Sequence, residues 1–112
     1  MRIFVLVSLS LAVAFAQNNK AGDAENGKKL FARNGCYQCH GTQGQGGAAG
    51  ARLNGTKLTL PVFTAILRNP PPSNMPPYRA KVMPDQEVAD VYAYIRTFPV
   101  PPALESVPLL KE

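Results

Sequence analysis

Five consecutive residues, Cys36-Tyr37-Gln38-Cys39-His40, carry the most distinctive chemistry of this sequence. Two thiols three positions apart, followed at once by an imidazole, form the pattern by which haem is attached covalently to a polypeptide. The sulfurs add to the two vinyl groups of the porphyrin as thioethers, and the histidine binds the iron. The pattern therefore predicts one covalently bound haem c, with His40 as proximal ligand.

Three other uses of these residues explain the sequence less well. A disulfide between Cys36 and Cys39 suits an oxidising compartment but leaves the adjacent histidine without a role. A redox pair of the thioredoxin kind belongs to a βαβ setting, which the sequence lacks. A structural zinc site usually has four Cys or His ligands, whereas the chain contains 2 Cys and 1 His.

The second axial ligand of the iron is open at this point. His40 is the only histidine, so the ligand is a methionine, another weak donor or nothing. Besides Met1, the chain offers Met75 in a proline-rich stretch and Met83 just before Pro84. Prolines stiffen the Met75 segment so that it can present a thioether. Filling of the core is the ordinary role of either methionine.

Three helices are predicted to position these residues. They cover residues 23–33, residues 60–68 and a stretch between residues 84 and 98. Asp23 can cap the first helix, and Pro70 prevents the second from continuing. The third has apolar residues at i, i+3, i+4 and i+7, namely Val88, Val91, Tyr92 and Ile95.

The remaining segments are predicted to be loops. Residues 41–55 include six glycines and are expected to wrap closely around a bound group. The tail, residues 99–112, has four prolines and is expected to be extended on the surface or partly disordered. No segment alternates as a strand does, so the predicted fold class is all-α, with three to four short helices around the haem. Because so few helices enclose little apolar surface, we expect the apoprotein to be largely unfolded.

The N-terminus predicts export. Arg2 precedes an apolar run that ends in the small-x-small sequence Ala14-Phe15-Ala16, which is typical of a signal peptide over residues 1–16 that is cleaved after Ala16. The run is shorter than the roughly 20 apolar residues that span a bilayer. We therefore expect a single periplasmic domain, residues 17–112, with no membrane span after cleavage.

The net charge limits the classes of partner. The chain carries +5, or +4 without Arg2. Its basic residues are scattered and lack the interleaved aromatic residues of a nucleic-acid groove, so no nucleic-acid partner is expected. A diffuse positive surface is either ordinary solvated surface or a means of steering the protein to an acidic redox partner.

With these features the chain resembles the small class I (monohaem) cytochromes c of bacteria. The resemblance covers most of residues 22–98 and rests on Gly27 and Phe31 in the first helix, the attachment pentapeptide, the glycine-rich loop, Met75-Pro76-Pro77-Tyr78 and the last-helix residues Val91-Tyr92-Ala93-Tyr94-Ile95. It implies the small cytochrome c fold, in which the first and last helices cross at a small residue such as Gly27. It also implies Met75 as the distal ligand, with Met83 at a position that is usually apolar.

Gly50-Ala51-Arg52-Leu53 resembles the Gly-Pro-x-Leu segment of that family. There the carbonyl of the proline accepts a hydrogen bond from the second nitrogen of the proximal histidine. Ala51 stands at that position, and its carbonyl can still orient His40. By the same resemblance Arg52 is a candidate partner of a haem propionate, the alternative being an ordinary surface arginine, and Leu53 belongs to the haem-binding segment.

The resemblance implies a one-electron carrier and no enzyme. With His40 and Met75 on the iron, no position is open for a substrate. The expected partners are redox proteins, a donor dehydrogenase and an acceptor oxidase or reductase, and the expected state is a monomer. Two alternatives stay open: a labile or missing methionine ligand would make the protein a gas sensor or peroxidase, and permanent docking would make it an electron-transfer subunit of a dehydrogenase or oxidase.

Overall fold

The structure is a computed structural model and describes residues 21–110. The predicted signal peptide, residues 1–16, lies outside the described residues. The helices are α1 (Ala24–Arg33), α2 (Cys36–His40), α3 (Leu60–Arg68) and α4 (Asp85–Ile95). Residues 21–110 contain no β-strand, and none of their helices is long and apolar enough to cross a membrane. The predicted all-α class is confirmed.

Helices α1 and α4 cross with their backbones in contact. A Cβ atom at Gly27 would overlap the carbonyl oxygen of Asp90, so only glycine allows this approach. One turn further along α1, the ring of Phe31 packs edge-on against the rings of Tyr94 and Phe98, with centroids 5.5 Å apart in both pairs. This crossing holds α1, α4 and Phe98 together.

A buried carboxylate ties the start of α1 to α4. Asp90 is 4% exposed and accepts hydrogen bonds from the backbone N–H of Asp23 and the side-chain amide of Asn26, both at 2.7 Å. Gln86 donates a third bond at 3.1 Å. A negative group at this position also complements the positive N-terminal end of α1.

The apolar core lies between α1, α3 and α4. Its buried members are Leu30, Phe31, Phe63, Leu67, Met83, Val88, Val91, Ile95 and Phe98. Helix α3 meets α4 where the rings of Phe63 and Tyr92 lie 5.4 Å apart, and the Tyr92 hydroxyl donates to the carbonyl of Leu58 at 2.8 Å. Two further segments, residues 41–59 and residues 69–84, connect the helices around this core.

The predicted helix bounds agree with the structure at most ends. Asp23 caps α1 by accepting from two backbone N–H groups, and α3 has the predicted bounds. Helix α4 ends at Ile95, before Phe98, because a turn over residues 96–98 folds the Phe98 ring back onto the core. The attachment pentapeptide forms a helix of its own, α2, which is too short to show a hydrophobic period.

The tail differs from the simple extended form that was predicted. Its described residues are mostly exposed, but they include two short 3-10 turns, Leu104–Ser106 and Pro108–Leu110. The first turn is closed by a hydrogen bond from the N–H of Ser106 to the carbonyl of Ala103 at 2.8 Å. The tail is therefore bent as well as extended, and the first of its turns contains no proline.

Candidate haem site

The attachment motif lies at the surface on helix α2. Gly35 turns the chain from α1 into α2 with φ +67°, a left-handed conformation that favours glycine. Because residues three apart share a helix face, Cys36 and Cys39 present their thiols on one side of α2. Both thiols are free, Cys36 half-buried and Cys39 exposed. No residue of α2 is buried, so the motif is accessible from outside.

The two thiols differ in environment. Burial raises the pKa of the Cys36 thiol above its ordinary value, and a smaller contribution in the same direction comes from Cys39. Cys36 also packs against the hydrophobic core. It is therefore a neutral, partly shielded thiol, whereas Cys39 faces solvent.

The imidazole of His40 is oriented by the loop that follows it. Its Nδ1 lies 2.7 Å from the carbonyl oxygen of Ala51. Since a carbonyl only accepts, Nδ1 carries the proton and Nε2 is the nitrogen left to bind a metal. A Cβ at Gly50 would come 2.6 Å from the carbonyl oxygen of Cys39, so the glycine lets the loop approach α2 closely enough for the Ala51 contact.

The other two residues of the predicted Gly50–Leu53 segment, Arg52 and Leu53, differ in their burial. Leu53 is half-buried, packs against the core and donates its N–H to the carbonyl of Gly44 at 2.7 Å. Arg52 is exposed, and within residues 21–110 the structure shows no hydrogen bond or ion pair to its side chain. The structure thus brings Ala51 to His40 and Leu53 to the core, while Arg52 points to no partner among the described residues.

Asn54 is a buried polar residue that the sequence did not single out. It is 7% exposed, and its Oδ1 has no hydrogen-bond partner among the described residues. Buried polar atoms in native proteins are nearly always paired.

The two candidate methionines lie in different surroundings. Met83 is 1% exposed and belongs to the core between the helices. Met75 is only partly buried and packs against the outside of that core. Met83 therefore has a packing role, whereas the thioether of Met75 is not fully buried in the core.

Tyr78 connects the Met75 segment to the attachment motif. Its N–H donates to the carbonyl of Leu67 at 2.7 Å, and its hydroxyl donates to the carbonyl of Asn34, two residues before Cys36, at 3.4 Å. Burial, with a smaller contribution from the nearby thiols, raises the pKa of the Tyr78 hydroxyl. The hydroxyl therefore stays protonated and remains a donor.

Arg68 also contacts this segment, and sequence reasoning placed it only among the scattered basic residues. Its guanidinium donates to the carbonyls of Tyr78 and Met83 and to the carboxylate of Asp85. The sequence holds a weak signal: Arg68 lies two residues before Pro70, at the start of a segment whose prolines supply no N–H.

These residues fit a covalently bound haem. The chain offers two thiols on one face of a short helix, an imidazole with Nε2 available and a thioether on the neighbouring segment. These are the donors that c-type haem uses. Residues 22–95 match the family of cytochrome c oxidase, cbb3-type, subunit III.

The chain belongs to this family. Because the family's domain is a cytochrome c domain, the protein binds haem c covalently, transfers electrons and works with redox partners. The resemblance to c-type cytochromes drawn from the sequence is thereby confirmed. No curated protein and no solved structure shows a significant match to the chain.

Proposed function

We propose that this cytochrome is a one-electron carrier whose iron is held between His40 and Met75, with Cys36 and Cys39 as the thioether attachments. The observation that carries the proposal is the 2.7 Å contact between His40 Nδ1 and the Ala51 carbonyl. It fixes the tautomer and the ring orientation, and hydrogen bonding of this kind raises the basicity of a ligating histidine. A histidine without a ligand role would not need this arrangement next to two thiols.

Met75 is proposed as the sixth ligand because its surroundings leave it available. Met83 fills the core at 1% exposure and would leave a cavity if it moved to the iron. Met75 lies on a segment that Tyr78 connects to the residue before Gly35, on the side of the attachment motif. A thioether ligand raises the potential of a cytochrome haem.

Two axial ligands from the chain support a carrier over a catalyst. With His40 and Met75 both bound in each redox state, the haem would offer no site for a substrate and would exchange electrons with little rearrangement. Residues His40 and Met75 then only hold and tune the cofactor. The surface position of α2 supports electron exchange near the attachment motif. The exposed residues Lys28, Tyr37, Gln38 and Lys81 are proposed to surround this site of exchange.

The decisive test is the absorption spectrum of the holoprotein, including the weak far-red band of sulfur-to-iron charge transfer. We expect the band in the oxidised wild type, its loss in Met75→Leu and its retention in the matched variant Met83→Leu. Absence of the band in the wild type, or ready uptake of carbon monoxide by its reduced form, would favour a gas sensor or peroxidase.

The family match favours a second role for the same chemistry. Because the family is described as an oxidase subunit, the protein could work as a docked subunit of an oxidase in place of a freely diffusing monomer. Light scattering on the purified holoprotein distinguishes the two: the carrier proposal expects the mass of one chain, and co-purification of further subunits at fixed stoichiometry would support docking.

The carrier proposal includes export to the periplasm, with cleavage after Ala16. It is supported by the signal-like composition of residues 1–16 and by the attachment chemistry, since a covalent cofactor cannot diffuse away from an exported protein. Mass spectrometry of the mature holoprotein tests it. A chain that begins at Gln17 and carries one haem is expected, and retention of residues 1–16 would contradict cleavage.

A further inference from the structure

The connection between α3 and α4, residues 69–84, carries Met75 but few backbone donors. Six of its residues are prolines, which lack an N–H. Within residues 70–77, the one hydrogen bond that the structure shows is local, from the N–H of Met75 to Ser73 Oγ at 3.2 Å. A segment with so few hydrogen bonds of its own is fixed mainly where its two ends are anchored.

Arg68, the last residue of α3, donates hydrogen bonds on the C-terminal side of Met75. Its Nη1 donates to the carbonyl of Tyr78 at 2.8 Å and to that of Met83 at 2.6 Å. Its Nη2 donates to Asp85 Oδ1 at 2.6 Å. One side chain thus connects α3, the residue three positions after Met75, and the first residue of α4.

We propose that Arg68 is a positioning residue, which holds the Met75 segment in place and so keeps external ligands from the sixth position of the iron. This role rests on the proposed function of Met75 as the sixth ligand. Arg68 does not touch the cofactor in this role. It acts through the carbonyls on the C-terminal side of Met75.

The carbonyl bonds matter more than the ion pair. The side chain of Arg68 is 18% exposed, whereas that of Asp85 is 88% exposed, and ion pairs with a solvated partner contribute little. Hydrogen bonds from a charged donor to shielded carbonyls are stronger than neutral ones. The planar guanidinium reaches three acceptors in fixed directions, which a lysine ammonium does not reproduce.

Loss of Arg68 should loosen the Met75 segment without unfolding the protein. Tyr78 keeps its second anchor, the 2.7 Å bond from its N–H to the Leu67 carbonyl. The hydrogen bonds of Arg68 go to Tyr78, Met83 and Asp85, and not to residues at the crossing of α1 and α4. The expected result is a methionine that an external ligand displaces more easily.

The experiment titrates the oxidised holoprotein with imidazole and follows the loss of the far-red band. In Arg68→Met, we expect half-displacement at a concentration about tenfold lower than in wild type, the size of one charge-assisted hydrogen bond. Arg68→Lys should lie in between. Asp85→Asn, which keeps both carbonyl bonds, should titrate like wild type. So should Arg33→Gln, because Arg33 is exposed and pairs with Glu87 of α4, not with the Met75 segment.

The outcomes separate this inference from the proposed function. If the wild type shows the band, Met75→Leu loses it and Arg68→Met titrates like wild type, the positioning role is overturned and Met75 remains the ligand. If the wild type lacks the band, Met75 is not the ligand and both fail. An equal shift in Arg33→Gln would show a general charge effect and also overturn the role.

A second measurement covers the case in which Arg68→Met does not accumulate as holoprotein. Arg68→Lys is then heated, and the temperature at which the band disappears is compared with the temperature at which the far-UV circular dichroism signal is lost. We expect the band to disappear further below the unfolding temperature in Arg68→Lys than in wild type. Two midpoints that move together would show a purely structural arginine and contradict the proposal.

Discussion

Two regions of this cytochrome are stabilised in different ways. The helix-crossing region, formed by α1, α4 and Phe98, contains backbone contacts, ring packing and a buried carboxylate with donors on the chain. The attachment region, formed by α2 with residues 41–59 and 69–84, depends on side-chain hydrogen bonds to loop carbonyls and includes the buried Oδ1 of Asn54, which has no partner within residues 21–110. The contacts of the first region therefore come from the chain itself, whereas the second has fewer contacts of its own and lies where the haem attaches.

The largest expected effect comes from removing the cofactor. In the double variant Cys36→Ala/Cys39→Ala, haem is not attached, and the remaining core is too small to offset the conformational entropy of the chain. We expect loss of most of the helical circular dichroism signal and of cooperative unfolding. A haem-free variant that still melts cooperatively would show that the helix-crossing region is stable alone.

The next largest effect is expected from Gly27→Ala, which changes the helix crossing. In Gly27→Ala the new methyl group overlaps the Asp90 carbonyl, so the helices must separate. We expect a loss of about 3 kcal/mol in the free energy of unfolding, the upper range for overpacking, measured by denaturant titration of the holoprotein. At Gly47 an added Cβ meets nothing within 4 Å, and Gly47→Ala should stay within about 0.5 kcal/mol of wild type. Equal losses in the two variants would refute the close crossing.

A smaller effect is expected from Met83→Leu, because the volume is conserved in the core. Met83 is 1% exposed. Its substitution by leucine should lower the free energy of unfolding by less than about 1.5 kcal/mol. The same variant should keep the redox potential of the wild type, measured by a spectroelectrochemical titration. A redox potential that shifts in Met83→Leu would indicate that Met83, and not only Met75, acts on the haem iron.

The smallest effect is expected at the surface ion pair between Arg33 and Glu87, 3.3 Å apart with the arginine 61% exposed. Glu87→Gln should change the free energy of unfolding by less than about 1 kcal/mol, and added salt should reduce the difference between variant and wild type. A loss as large as that of Gly27→Ala would mean that charge pairing, and not close packing, holds the crossing.

Local signals in the sequence determined much of this protein. The attachment pentapeptide predicts the cofactor without reference to any fold, because its chemistry lies within five consecutive residues. Helices α1 and α3 were predicted with nearly correct bounds, since Asp23 and Pro70 act on adjacent backbone. The role of Gly27 came from the family resemblance, and the structure shows its physical cause in the Asp90 carbonyl.

Tertiary structure decided what depends on residues far apart in the chain. The period of α4 does not show that Phe98 turns back to the core, because the aromatic partner on α1 is distant in sequence. Nor does composition separate Arg68, which binds two carbonyls, from Arg52, which stands exposed. A side chain's type determines what it can bind, but only the folded chain determines which acceptors lie within its reach.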